Sequence, residues 1–257
     1  MAHYQRKAAP PQMIKTNSYY IHFIKYTLMK SQIFYAALIT GSCLLWSNTT
    51  SASAPADTIK RKGYTLIFES RDPDLNPEVK QKLIDTYFKV YPVLVKTFNR
   101  QSTKEVRFVV DTAYKAVAEA SGNRILFSAG YMKAHPYDTD VVTHETMHIV
   151  QGYGYSAGPV WLTEGIADYV RYQYGIDNKG SKWELPEFNP KQNYTNSYRI
   201  TGRFFLWIEK NIKQGLVKEM DSTLRAHTYT PETWIKLTGK TLDELWADYA
   251  HQPAIKA

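Results

Sequence analysis

Two histidines stand four residues apart in VVTHETMHIVQ, residues 141–151, and a glutamate directly follows the first. On a helix, positions i and i+4 lie one above the other, so His144 and His148 aim both imidazoles at one point. Such a pair supplies two ligands to zinc. Glu145, one position round the helix, reaches a water activated by that ion without being a ligand itself. Zinc lowers the pKa of its water to about 7, and a neighbouring carboxylate takes the proton as the water attacks a polarised carbonyl.

Three specified residues recur by chance, so the surroundings decide. Val141, Val142, Met147, Ile149 and Val150 make this segment mostly apolar, and Asp138 is positioned to cap its start. Two histidines on a buried helix need partners or a metal. A catalytic zinc takes three protein ligands and keeps one position open, so a third ligand is required. The segment PVWLTEGIADYVRYQYG resumes helical spacing after a Gly- and Tyr-containing turn at 152–159, and it carries Glu164 and Asp168 four apart among apolar neighbours. The longer Glu164, nearer the turn, is the expected ligand. Asp168, one turn on, then accepts a hydrogen bond from the far nitrogen of a liganding histidine and fixes its tautomer. The reverse assignment, Asp168 as ligand, is sterically open. The three-histidine pattern H-E-x-x-H-x-x-G-x-x-H is not met, because Gln151 and Gly154 stand where it needs Gly and His.

Hydrolysis also needs a donor for the oxyanion that develops on the attacked carbonyl. In FNPKQNYTNSYRITGRFFLWIEK the candidates are Tyr194, Tyr198 and Arg203, with Tyr198 preferred.

The elements that must position these residues follow from pattern. GYTLIFES (63–70), EVRFVVD (105–111) and NRILFSAG (123–130) read as strands. Between the first two, Asn76 as N-cap and Pro77 at the first helical position open a helix. Its apolar face comprises Val79, Leu83, Tyr87, Val90, Leu94 and Phe98, and Pro92 is expected to kink or divide it. Beyond residue 137 the pattern is almost wholly helical, with breaks near 152–159 and 177–193. The outline is α+β: a small N-terminal sheet with helices, then a mainly helical C-terminal part, with the histidine pair at the join. NRILFSAG, just before that pair, is expected to be an edge strand that binds an extended polypeptide by strand addition.

Of the 257 residues, 1–54 are expected to be an N-terminal extension and secretory signal, and 55–257 a single domain. From Met29 a lysine, an apolar run (Ile33 to Trp46) and small residues ending at Ala54 make a signal-like segment, too short to leave the mature chain anchored in a membrane. Residues 1–54 hold five of the 32 basic residues and no acidic one. The net charge of +8 therefore falls to +3, from 27 basic against 24 acidic residues, once they are removed. No basic stripe remains, which excludes nucleic acid as a partner. The only cysteine, Cys43, lies in the same leader, so any metal must use His, Asp or Glu. Secretion or export to the periplasm after cleavage near Ala54 is expected, with lipid anchoring at Cys43 the second option.

HETMHIVQGYG, GPVWLTEGIADYVRYQYG, YRITGRFFLWIE and GKTLDELWADYAHQ, in that order, resemble the successive motifs of the basic secretory protein family, zinc metallopeptidases of plants and bacteria, over residues 63–251. The resemblance implies a zincin-like fold, His144 and His148 as zinc ligands, Glu145 as catalytic acid/base, and Glu164 or Asp168 from EGIADYVR as third ligand. The expected function is a secreted zinc endopeptidase. The alternatives are a secreted, metal-containing binding protein for cell-wall glycan or peptidoglycan, and a metal-dependent amidase. A binding protein needs the ligands but not the base, so Glu145 favours the enzyme.

Overall fold

The computed structural model describes residues 56–256. The leader expected over residues 1–54, with Cys43 and the cleavage point near Ala54, lies outside the described residues.

Strand β1 (Asp57–Arg61) turns through Lys62 and Gly63, both at positive φ, into the antiparallel β2 (Tyr64–Ser70). Two successive positive φ values give the turn whose twist matches that of the flanking strands. Helix α1 (Pro77–Thr97) carries the chain over to β3 (Glu105–Asp111), parallel to β2. A second hairpin, β4 (Ala118–Ser121) and β5 (Arg124–Ser128), completes a five-stranded sheet in the order β1-β2-β3-β5-β4. Alternate residues Leu66 and Phe68, Val106, Phe108 and Val110, and Ile125 and Phe127 are buried on one face, as a half-covered sheet requires. They share a core with Tyr87, Tyr91 and Leu94 of α1.

The sheet changes one expectation. NRILFSAG is not an edge: β5 pairs with β3 on one side and with β4 on the other, and β4 is the free edge at that end of the sheet, β1 at the other. The short AEAS of β4, with two alanines and no β-branched residue, lacks the composition of a strand and gains its form from pairing with β5. Helix α1 opens as expected, Asn76 accepting from the Glu78 N–H at 2.8 Å, and it runs as one helix through Pro92, so of the two outcomes expected there division does not occur. Tyr87 and Tyr91 before the proline, and Leu94 and Val95 after it, are buried in the same core, which holds both halves in place.

After α2 (Ala129–Ala134), helix α3 (Val141–Gln151) carries the histidine pair. Its N-cap is Asp140, not Asp138. Asp138 instead accepts from the Tyr131 hydroxyl at 2.6 Å and pairs with Arg171. Asp140, almost wholly buried, accepts from the backbone N–H groups of Ile176 (2.7 Å) and Asp177 (2.5 Å), so it fastens the start of α3 to the end of α4 (Val160–Tyr174). At its other end, α3 stops at Gly152 in the left-handed conformation. Arg225 caps it, donating to the carbonyls of Val150 and Gln151 while paired with the buried Asp221.

The C-terminal part is helical: α5 (Tyr198–Asn211), α6 (Leu216–Arg225), α7 (Glu232–Thr238) and α8 (Leu242–His251). Helix α5 lies close on α4 because Gly165 faces Thr201. A β-carbon on Gly165 would come within 2.3 Å of the threonine methyl. Among the described residues no helix is long and apolar enough to cross a membrane.

Candidate metal centre

One helical turn separates His144 from His148, and their Nε2 atoms stand 3.1 Å apart. Glu164, reaching across from the first half of α4, places Oε2 3.2 Å from the first and 3.3 Å from the second. Ligands about 2.0–2.1 Å from a tetrahedral zinc stand about 3.3 Å from one another, so the triangle has the right size. Asp168, one turn along α4, lies behind His144, its Oδ1 2.6 Å from Nδ1.

Hydrogen-bond chemistry fixes which atoms face inward. The Gln151 amide donates from Nε2 to the Thr163 carbonyl at 2.9 Å, so its Oε1 must be the atom 2.7 Å from His148 Nδ1. An amide oxygen only accepts, and His148 Nδ1 therefore carries the proton. The Asp168 carboxylate likewise accepts a hydrogen bond from His144 Nδ1–H. With neutral imidazoles both Nε2 atoms are then acceptors, and they converge with a third acceptor, Glu164 Oε2. His144, His148 and Glu164 form a group whose ligand atoms can all hold one metal ion.

Charge agrees with geometry. Burial works against a charged His144, but the hydrogen bonds to Asp168 and Glu164 outweigh it and pull its pKa up to about 10. Burial also disfavours an ionised Glu164, yet the two histidines hold its pKa well below the usual carboxylate range. Three carboxylates, Glu145, Glu164 and Asp168, thus surround two imidazoles, and the cluster draws positive charge: a proton on His144, or a cation that takes its place. A divalent cation satisfies all three inward-facing acceptors together, so the residues present fit zinc.

Glu145 is in a different state. Its carboxylate is buried, Oε2 has no hydrogen-bond partner among the described residues, and burial raises its pKa. An unpartnered carboxylate oxygen beside a ligand cluster is suited to accept a proton.

Tyr198 opens α5 with φ +51, after Ser197 at φ +69 and ψ −178, two successive non-glycine residues in conformations that cost energy unless packing enforces them. Its ring lies parallel to that of His144, centroids 6.2 Å apart, and 54% of the residue is exposed to the cleft. The other two oxyanion candidates are engaged elsewhere: Tyr194 donates to Asp243 and Arg203 pairs with Glu187.

The cluster lies in a cleft of about 1290 Å³, walled by β4 with its flanks (residues 116–122), the turn at 152–158, and Tyr198 and Arg199. Two of its features were not anticipated from sequence. Gln151 entered only as a mismatch to the three-histidine pattern. Glu119 of β4, which accepts from the Tyr114 hydroxyl at 3.2 Å and whose charge adds to the rise in the Glu145 pKa, was not singled out at all.

A small twisted sheet with a free edge over a helix bearing H-E-x-x-H, and a second helix presenting glutamate to it, is the zincin-like metallopeptidase fold. Aminopeptidase A of Legionella pneumophila is similar with a TM-score of 0.51 at 14% identity, the alignment covering 75% of this chain and 27% of that one. An aminopeptidase N family protein of Idiomarina loihiensis gives 0.52 at 14% identity, over 76% and 46%. The chain thus spans less than half the length of either. The family model described as "Peptidase of plants and bacteria" matches residues 64–249, and the chain belongs to that family, the basic secretory protein family. No curated protein matches it.

Proposed function

We propose that this protein is a secreted zinc endopeptidase that cleaves extended polypeptide. The observation that carries the reading is the convergence of His144 Nε2, His148 Nε2 and Glu164 Oε2 within 3.3 Å, with both Nδ1 atoms held by partners behind them. Zinc held there supplies Lewis-acid activation of a water molecule and of the scissile carbonyl. Glu145, through its unpartnered Oε2, takes the proton of the attacking water and passes it to the leaving amine nitrogen. Tyr198 donates its hydroxyl to the oxyanion, and Asp168 holds His144 with Nε2 facing inward.

The cleft exceeds the roughly 300–1,000 Å³ of small-molecule pockets, and one wall is the free edge of β4. A peptide added to that edge as a further strand passes the metal cluster with its backbone held and its side chains alternating. The expected role of the edge thus moves from β5 to β4. Export from the cytoplasm is part of the proposal and rests on the signal-like segment and its cleavage point near Ala54.

A glycan-binding role resting on tryptophan is disfavoured, and the aromatic rings exposed in the cleft are the tyrosines Tyr155 and Tyr198. Trp207 and Trp234 are buried, Trp161 and Trp246 pack, partly buried, against Tyr194 and the helical core, and the ring of Trp183 packs against Arg171. No row of exposed tryptophans is left among the described residues to stack on sugar rings.

The test is metal analysis of the purified protein and of Glu145→Gln, with both incubated on a mixed peptide library read by mass spectrometry. Stoichiometric zinc in both, with internal bonds cut by the wild type and cleavage reduced at least about 100-fold in the variant, is expected. A wild type that takes up no zinc, or a variant that cleaves as well as the wild type, overturns the reading.

A further inference from the structure

Gln151 is 1% exposed and ends the helix that carries both histidines. Its amide makes two contacts of opposite kind. Oε1 accepts the Nδ1 proton of His148 at 2.7 Å, and Nε2 donates to the carbonyl of Thr163 at 2.9 Å. Thr163 directly precedes Glu164, so one side chain on α3 grips a histidine of its own helix and the backbone beside the carboxylate on α4. The reciprocal contact runs the other way, from Asp168 on α4 to His144 on α3. The two helices are cross-linked twice, each time through a residue behind an inward-facing ligand atom.

We propose that Gln151 is a positioning residue of the metal centre: it sets the tautomer of His148 and fixes the separation of His148 and Glu164 across the two helices. This rests on the zinc reading above. An amide suits the task because it is at once acceptor and donor. A carboxylate here would keep the bond to His148 and face the Thr163 carbonyl with a second acceptor, whereas an apolar side chain would provide neither bond. With no acceptor behind it, the His148 ring is free to carry its proton on Nε2, the atom that must be bare to bind.

The test compares the wild type with Gln151→Met, of similar volume, and Gln151→Glu. Zinc affinity is measured by competition with a chromophoric chelator, and the cobalt-substituted proteins are compared by visible absorption. Gln151→Met is expected to weaken zinc binding about 10–100-fold and to change the cobalt spectrum. Gln151→Glu is expected to lose clearly less than Gln151→Met and to keep the wild-type spectrum, since its carboxylate still accepts from His148 while only the bond to Thr163 is lost. Thermal melts of the metal-free proteins identify any variant that fails to fold, and the glutamate variant's retained spectrum separates positioning from packing. Wild-type affinity in Gln151→Met, or equal loss in both variants, overturns the proposal while leaving the zinc reading intact. Absence of zinc binding by the wild type overturns both.

Discussion

At the scale of single residues, most of the cluster's geometry is legible because it is written in helical spacing. His144, Glu145 and His148 need only a helix to bring them together, and Glu164 with Asp168 need only a second one. Gln151 was not legible, since its partners are a side chain three residues back and a carbonyl twelve residues on, the latter reached only once α4 has docked. Tyr198 lies between these cases. Its choice over Tyr194 and Arg203 was a preference among equals in sequence, and only the strained start of α5 turns it toward His144. Its pKa is raised, chiefly by the charge of Glu164 beside it, so it remains a hydroxyl donor through neutral pH. Tyr198→Phe keeps the ring and removes the donor. If the hydroxyl meets the oxyanion only in the transition state, kcat should fall about 100–1,000-fold, with KM nearly unchanged. Steady-state kinetics on one peptide decides this, and a rise in KM at constant kcat would make Tyr198 a substrate-binding residue instead.

At the scale of elements, the long periodic segments were readable and the short or composition-poor ones were not. Strands β2, β3 and β5 and helix α1 carry alternation or a 3.6-residue period that survives without tertiary context. β4 does not, because AEAS becomes a strand only against β5. The cap of α3 was assigned to Asp138 although Asp140 holds that position, and the reason is again long-range: Asp140 is engaged by backbone N–H groups 36 and 37 residues away. The contact of α4 with α5 was equally invisible, since a glycine inside a helical pattern reads as a weakness until its neighbour is known. Gly165 allows Thr201 to approach so closely that an added β-carbon would overlap both its methyl (2.3 Å) and its own β-carbon (2.6 Å). In an isolated helix Gly→Ala stabilises by up to about 1 kcal/mol. Here overpacking should win, and Gly165→Ala is expected to destabilise by about 1–3 kcal/mol, read as a lower urea midpoint. Because Glu164 is the adjacent residue, zinc affinity should fall with it. An unchanged or higher midpoint would show that α4 and α5 can separate without loss.

At the scale of the whole molecule, the sheet and the helices meet along one line, where the free edge of β4 runs beside α3. Which backbone groups face that edge follows from the ladder. Ser128 N–H donates to the Val117 carbonyl at 3.1 Å, and the register pairs Glu119 with Leu126 and Ser121 with Arg124. Bonded pairs alternate in an antiparallel ladder, so Glu119 and Ser121 bond to β5, while the N–H and C=O of Ala118 and Ala120 point outward. A substrate strand would use the outward groups and leave the inward ones untouched. Proline separates the two sets, because it deletes one N–H and is tolerated at sheet edges where that N–H is not part of the ladder. Ala120→Pro should therefore remove a bond to substrate but none to β5. A hydrogen bond contributes about 0.5–1.5 kcal/mol, so kcat/KM should fall about 2- to 10-fold through KM, with the denaturation midpoint little changed. Glu119→Pro should do the opposite, lowering the midpoint through the broken ladder. Equal kinetic effects from the two, or none from Ala120→Pro, would mean that polypeptide does not add to β4, and the cleft would then have to hold its substrate by side-chain contacts from the turn at 152–158 and the start of α5.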